Sequence, residues 1–203
     1  MLGPSRVFAQ SLSETAAFTE RFAQIQNSFD NDSDLEAPLE ELLKSVENYK
    51  DANPDNASSW IVLARVKLAY ANTQGIIKGM RIMKQLRGDL EQSLSIDPLA
   101  EQGLGQALLG FLYVAMPPWP LGFGNKSKGE HYLAAAYELN SDGMEINYYY
   151  AQYHGSEKNY VQALQHVKQA TQASYGDGVS PHLSKFYKAE IEELQANIES
   201  RLL

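Results

Sequence analysis

The chain has 203 residues, of which 44% are hydrophobic, 21% charged and 10% aromatic; this is the make-up of one ordinary globular domain or at most two small ones, and excludes a disordered or fibrous protein. No apolar run approaches the ~18 residues of a membrane helix, and the absence of cysteine excludes disulfides, thiolate zinc sites, thiol nucleophiles and, in this chain, a lipid anchor on an N-terminal Cys. Twenty-five acids against seventeen Lys and Arg give a net charge of −8, which speaks against non-specific binding to DNA, RNA or anionic lipid.

Residues 1–10 read as an N-terminal tail or the stub of a signal peptide. Val7-Phe8-Ala9 before Gln10-Ser11 has the small residues of a signal-peptidase site, although the apolar stretch and basic start of a full signal are missing from the residues before it. Periplasmic placement is the expectation, with the cytoplasm as the alternative. From residue 11 onward apolar residues recur at helical spacing: Phe18, Phe22, Ile25 and Phe29, then Leu39, Leu42, Val46 and Tyr49. Turn residues cut the pattern at Asn31 to Ser33, Asn53-Pro54-Asp55, Thr73 to Gly75, Asp97-Pro98, Pro117 to Gly124, Ser141 to Gly143, and Tyr175 to Ser180. About nine helices are expected, at 11–29, 35–51, 57–72, 77–96, 99–115, 126–140, 144–156, 159–174 and 181–201. Leu183, Phe186, Ile191, Leu194 and Ile198 give the last of them an apolar face. The fold class is all-α, one domain over 11–203.

Short links make successive helices antiparallel hairpins, and the hairpins repeat. Leu109, Gly110 and Tyr113 fit the L-G-x2-Y pattern of a tetratricopeptide (TPR) first helix, and Leu133 and Ala136 fit its partner. Tyr160 to Ala163, Val167 and Ala170 fit a second helix, opposite a first helix with small Ala151 but Asn147 and Tyr150 where Trp and Leu are typical. Trp60, Leu63 and Ala64 open a further pair closed by Leu86, Leu90, Ser93 and Pro98. The chain therefore resembles the tetratricopeptide repeat superfamily, with degenerate repeats at about 11–55, 57–98, 104–141 and 144–175 and a capping helix at 181–201. The small residues let helix backbones approach, so all these positions are expected to be core. Two units exceed the repeat length, and in their long turns they resemble the periplasmic TRAP-transporter T-component proteins and repeat proteins with a W-P-x-G-F-G turn. The T-components are lipoproteins with an N-terminal Cys, which this chain lacks.

Four constellations bear on chemistry. Asp30, Asp32, Asp34 and Glu41 occupy ligand places of a calcium loop, but Leu35 stands where its turn needs Gly, and Ser33 with Glu36 reads as a helix capping box. Lys78, Arg81, Lys84 and Arg87 read as a solvated helix face, with a patch for an anion or acidic partner as the alternative. The Pro117–Gly124 turn is long, with Trp119 and Phe123 either folded over a hairpin end or contacting a partner. His131, His154, His166 and His182 stand singly in sequence, so neither a metal nor a catalytic set is expected.

The expectation is a non-enzymatic scaffold, without cofactor, that presents a concave helical groove to a peptide or protein. Groove-facing positions counted from Trp60, Gln106 and Asn147 include Arg65, Phe111, Tyr148 and Gln152 as ligand-binding residues, with Arg65 suited to clasping a carboxylate. The T-component resemblance implies the alternative, a periplasmic accessory subunit of a solute-uptake system with a solute-binding protein as partner and Trp119 and Phe123 in contact with it.

Overall fold

Some of the helices begin where the side chain before them caps the first turn. In the computed structural model, which describes residues 4–29, 31–173 and 180–202, the side chains of Asn56, Asn125 and Ser180 each accept a first-turn backbone N–H at 3.0–3.1 Å, satisfying donors that a helix start leaves orphaned. Among the described residues the elements are α1 (Pro4–Gln26), α2 (Asp32–Ala52), α3 (Ala57–Asn72), α4 (Ile76–Ile96), a 3-10 turn (Ala100–Gly103), α5 (Leu104–Ala115), α6 (Lys126–Leu139), α7 (Met144–Ser156), α8 (Tyr160–Gln172) and α9 (Pro181–Ser200). The chain forms two units, 1–96 and 97–203.

In the first unit α3 is the central helix, packed by α1, α2 and α4, and Ile61 to Val66 are all buried. Against them lie Phe22 and Ile25 of α1, Leu39, Leu42 and Val46 of α2, and Leu86 and Leu90 of α4. Lys67 Nζ reaches Asp89 Oδ2 at 2.6 Å between α3 and α4, and Ser93 Oγ donates to the Ala57 carbonyl at 3.0 Å. In the second unit α5 pairs with α6 and α7 with α8, α5 also packs on α7, and α9 lies on both α7 and α8. Leu109, Leu133, Ala136, Ala151, Ala163 and Ala170 are sealed between these helices, as the repeat pattern requires.

The three hairpins that begin with α3, α5 and α7 share one local device. Trp60 Nε1 donates to the Pro54 carbonyl at 2.8 Å, Gln106 Nε2 to the Pro98 carbonyl at 3.2 Å, and Asn147 Nδ2 to the Ser141 carbonyl at 2.7 Å. Three different side chains at the equivalent place thus reach back to the turn before their own helix and satisfy one of its carbonyls.

The structure departs from the expected elements at five places. Helix α1 opens at Pro4, so the expected 1–10 tail is helical from residue 4; proline suits a first helical position because the missing N–H would be unpaired there anyway. The same helix stops at Gln26, which leaves Phe29 off its face and 40% exposed. Helix α2 starts at Asp32 with Asn31 before it, so Ser33 is already inside the first turn and the Ser33–Glu36 capping box does not form. The helix expected from residue 99 begins only at Leu104, because Glu101, Gln102 and Gly103 turn through left-handed backbone at φ 50°, 53° and 86°, a conformation that breaks a right-handed helix. The extra length of the 57–98 unit lies in the 21-residue α4 and not in its turn, which spans only 73–75. Asp30, residues 1–3 of the tail and the link at 174–179 lie outside the described residues.

Candidate functional site

The four residues expected to line a groove fall in both units. Arg65, on α3 of the first unit, is 6% exposed and lays its guanidinium 5.9 Å from the Phe22 ring, so here it braces α1 on α3. In the second unit α7 carries Tyr148 toward α9, where its hydroxyl donates to Glu190 Oε2 at 2.7 Å and its ring meets Tyr187. Burial and the Glu190 carboxylate push the Tyr148 phenol far up, so it stays protonated and donating. The capping helix therefore holds the side chain that was expected to face a ligand. Phe111 of α5 rests at 5.2 Å on the Tyr149 ring of α7 and is half-buried, as is Gln152 one turn further along α7. Phe111 and Gln152 keep partly open faces on two helices that pack together.

The turn between α5 and α6 is tied down by its own backbone. Gly124 N donates to Pro117 O at 2.9 Å, Leu121 N and Gly122 N to Pro118 O at 3.1 Å, and Asn125 N to Tyr113 O at 2.8 Å. A Cβ on Gly124 would lie 1.8 Å from the Met116 carbonyl oxygen, so this place admits only glycine. The Trp119–Pro120 peptide is cis. Of the two aromatics expected to contact a partner or cover the hairpin end, Phe123 folds back edge-on to Tyr113 at 5.8 Å. Trp119 does not, and is 84% exposed beside Leu121 at 76%.

One cluster had no counterpart in the sequence reading. Across the α7–α8 hairpin, His166 stacks on Tyr150 at 4.7 Å and on His154 at 5.3 Å, with Tyr137 of α6 edge-on to His166 at 5.4 Å. His154 and His166, single in sequence, are therefore neighbours in space. The Asn147 amide orders them: its Nδ2 donates to the Ser141 and Gly143 carbonyls, which leaves Oδ1 facing His166 Nδ1 at 2.9 Å. His166 Nδ1 accordingly carries the proton. A mirror rule would have found the Tyr150–His166 stack, because Tyr150 and His166 are equally distant from Lys158 in the α7–α8 turn, where φ is 62°, and such residues face each other in an antiparallel hairpin; His154 lies one turn along from Tyr150 on the same face.

Burial, with His154 beside it, holds His166 down at about 4; burial also lowers His154, against an upward pull from Glu130. Both rings are neutral at pH 7. The unfolded chain protonates them near pH 6.5 and the folded cluster only at lower pH, so their contribution to stability is complete above 6.5 and is lost as pH falls toward 4. Discounted for the half-open setting of the rings, the loss is ~1–2 kcal/mol. Thermal melts between pH 7 and 5, above most carboxylate titration, should show the midpoint falling, and His166→Gln should flatten most of that slope. An unchanged slope in His166→Gln would place the acid sensitivity elsewhere.

The calcium-loop residues do not form a site. Asp34 and Glu41 lie within α2, and among the described residues no group of three or more His, Asp or Glu could hold a metal ion. No described helix is long and apolar enough to cross a membrane.

Among solved structures the chain is similar to the crystal structure of a thermophilic TPR protein from Thermus thermophilus, with a TM-score of 0.57 and 17% sequence identity over 92% of this chain and 95% of that one. No family model matches the chain, and no curated protein matches it. At this identity the likeness shows the fold alone: an all-α, TPR-like helical repeat.

Proposed function

We propose that the chain is a non-enzymatic binding scaffold whose partner is a peptide or protein segment. The TPR-like fold carries this reading, since that architecture commonly serves protein interaction and is generally non-enzymatic. Stacked hairpins make a surface of repeated helices, and such a surface suits an extended partner better than a small substrate. Within the second unit the receiving surface is the open side of α5 and α7, with Phe111 as apolar anchor and Gln152 as an amide that can pair with a peptide backbone. Tyr148 and Arg65 stand behind such surfaces as supports, Tyr148 through Glu190 and Arg65 through Phe22.

The test is affinity capture from the native organism with mass spectrometry, using the full chain and Phe111→Glu. Phe111 is half-buried with its ring on Tyr149, so a carboxylate there should leave the helical circular dichroism in place and reduce capture at least ~10-fold through loss of the anchor. Equal recovery of every captured protein by both forms would sink the assignment of this surface. Turnover of a substrate by the purified chain would sink the scaffold reading itself.

A further inference from the structure

All twenty-five acids of the chain lie outside two stretches, 56–88 and 102–129, which carry six and two Lys or Arg respectively. Each stretch contains a turn between the two helices of a hairpin, and each turn holds out large apolar side chains. After Gly75 in the first unit, Ile76 and Ile77 are 82% and 88% exposed. Gly79 seats α4 against α3 at this end, since a Cβ there would lie 3.0 Å from the Ala71 carbonyl oxygen, and Lys78 Nζ bonds the Tyr70 hydroxyl at 3.1 Å. The isoleucines therefore project from an anchored helix start. Ile77, Arg81 and Lys84 follow at i, i+4 and i+7 and share one exposed face of α4. In the second unit the backbone bonds of the Pro117–Gly124 turn hold Trp119 and Leu121 outward at 84% and 76% exposure, with Lys126 and Lys128 starting α6 directly behind.

We propose that these two turns are interfacial anchors for an anionic phospholipid bilayer. The apolar side chains sit on protruding turns, two large ones to each, and a protruding apolar tip is buried by a soft phase that closes around it. Trp beside Pro and Leu is the composition that settles at headgroup depth. Behind the first tip Arg81 and Lys84 stand within two helical turns with no acid between them and the tip, whereas behind the second Lys128 stands beside Lys126, whose ammonium is paired with Glu157; charge complementarity therefore selects the anionic headgroup chiefly at the first tip. The net charge of −8 opposes attraction of the chain as a whole, which is why each tip needs insertion as well as charge. Both turns carry the apolar signal, the first with Arg81 and Lys84 behind it and the second with Lys128, and an apolar signal joined to a basic one is the combination that anchors a chain stably.

The experiment is co-sedimentation and tryptophan fluorescence of the full chain with vesicles of phosphatidylcholine alone and with about one-third phosphatidylserine. Binding to the mixed vesicles should be at least ~10-fold tighter than to the neutral ones and should weaken as salt is raised. A blue shift of emission should accompany it and vanish in Trp119→Phe. The pair Ile76→Ser with Ile77→Ser, the pair Trp119→Ala with Leu121→Ser, and the pair Arg81→Glu with Lys84→Glu should each reduce binding to mixed vesicles ~10-fold or more. All six positions are exposed, so each variant should keep the parent's melting temperature. A chain that stays in the supernatant at millimolar anionic lipid overturns the proposal, as does binding unchanged by these pairs or equal on both vesicle types. If the tips capture a protein while vesicles capture nothing, they belong to a protein partner and the lipid assignment falls.

Discussion

Gly110→Leu should cost about 2–4 kcal/mol of stability and lower the urea midpoint accordingly. The Cβ of any residue at this place would lie 2.8 Å from Leu133 Cγ and 2.9 Å from both the Gly129 carbonyl oxygen and the Leu133 nitrogen. Two of those atoms are backbone and cannot rotate away. The crowding is reciprocal, because a Cβ on Gly129 would lie 2.5 Å from Val114 Cγ2 and 2.9 Å from the Gly110 carbonyl oxygen. Helices α5 and α6 touch through these two glycines, so a leucine at Gly110 must push the helices apart and open contacts around Leu109 and Leu133, both sealed in the core. Gly88 makes the control. It lies exposed within α4, with nothing within 4 Å of its Cβ position, and Gly88→Ala should stabilise by about 0.5–1 kcal/mol by restricting the unfolded chain. A Gly110→Leu protein melting within a degree or two of the parent would refute the close approach of the two helices.

Removal of residues 181–203 should have the second large effect. Helix α9 buries Leu183, Tyr187, Ile191 and Ile198 on α7 and α8, and each such side chain contributes ~1.5–3 kcal/mol relative to exposure. The ordering of twenty residues offsets a large part of this. What remains should lower the melting temperature by ~10 °C or more. The shortened chain also loses Glu190 as acceptor for Tyr148 and Tyr187 as neighbour of the Tyr149 hydroxyl, and it leaves an apolar strip open. Self-association should follow, because a repeat stack without its end helix exposes its seam. Light scattering alongside the melt reads both effects; a monomer with an unchanged midpoint would show that α9 is not a cap.

Helix positions were legible because turn residues and apolar spacing agree along most of the chain. Asn56, Asn125 and Ser180 cap where the punctuation falls, and the small residues Ala64, Gly110 and Ala151 are buried where the repeat pattern puts them. The break before Leu104 was not legible, since neither Glu101 nor Gln102 has a side chain that requires left-handed backbone; the neighbours impose it. On α9 the buried aromatic is Tyr187, while Phe186 is half-open. Counting hydrophobicity favoured the phenylalanine, but the tyrosine hydroxyl has a phenol, Tyr149, at 3.3 Å, which removes the penalty of burying it. The groove positions were counted from Trp60, Gln106 and Asn147 alone, yet which face of α7 stays open depends on where α9 docks, and no local pattern encodes that. The imidazole pair depended likewise on knowing where the hairpin folds.

The reach-back bonds of Trp60, Gln106 and Asn147 have a consequence for how the chain finds its shape. Each spans only six or eight residues, so the entry point of α3, α5 and α7 is settled within its own stretch of chain, before any neighbouring hairpin has arrived. Contacts at such short range form early and at small loss of chain entropy. A hairpin built this way meets the next one with its register already chosen, and the remaining search is for docking alone.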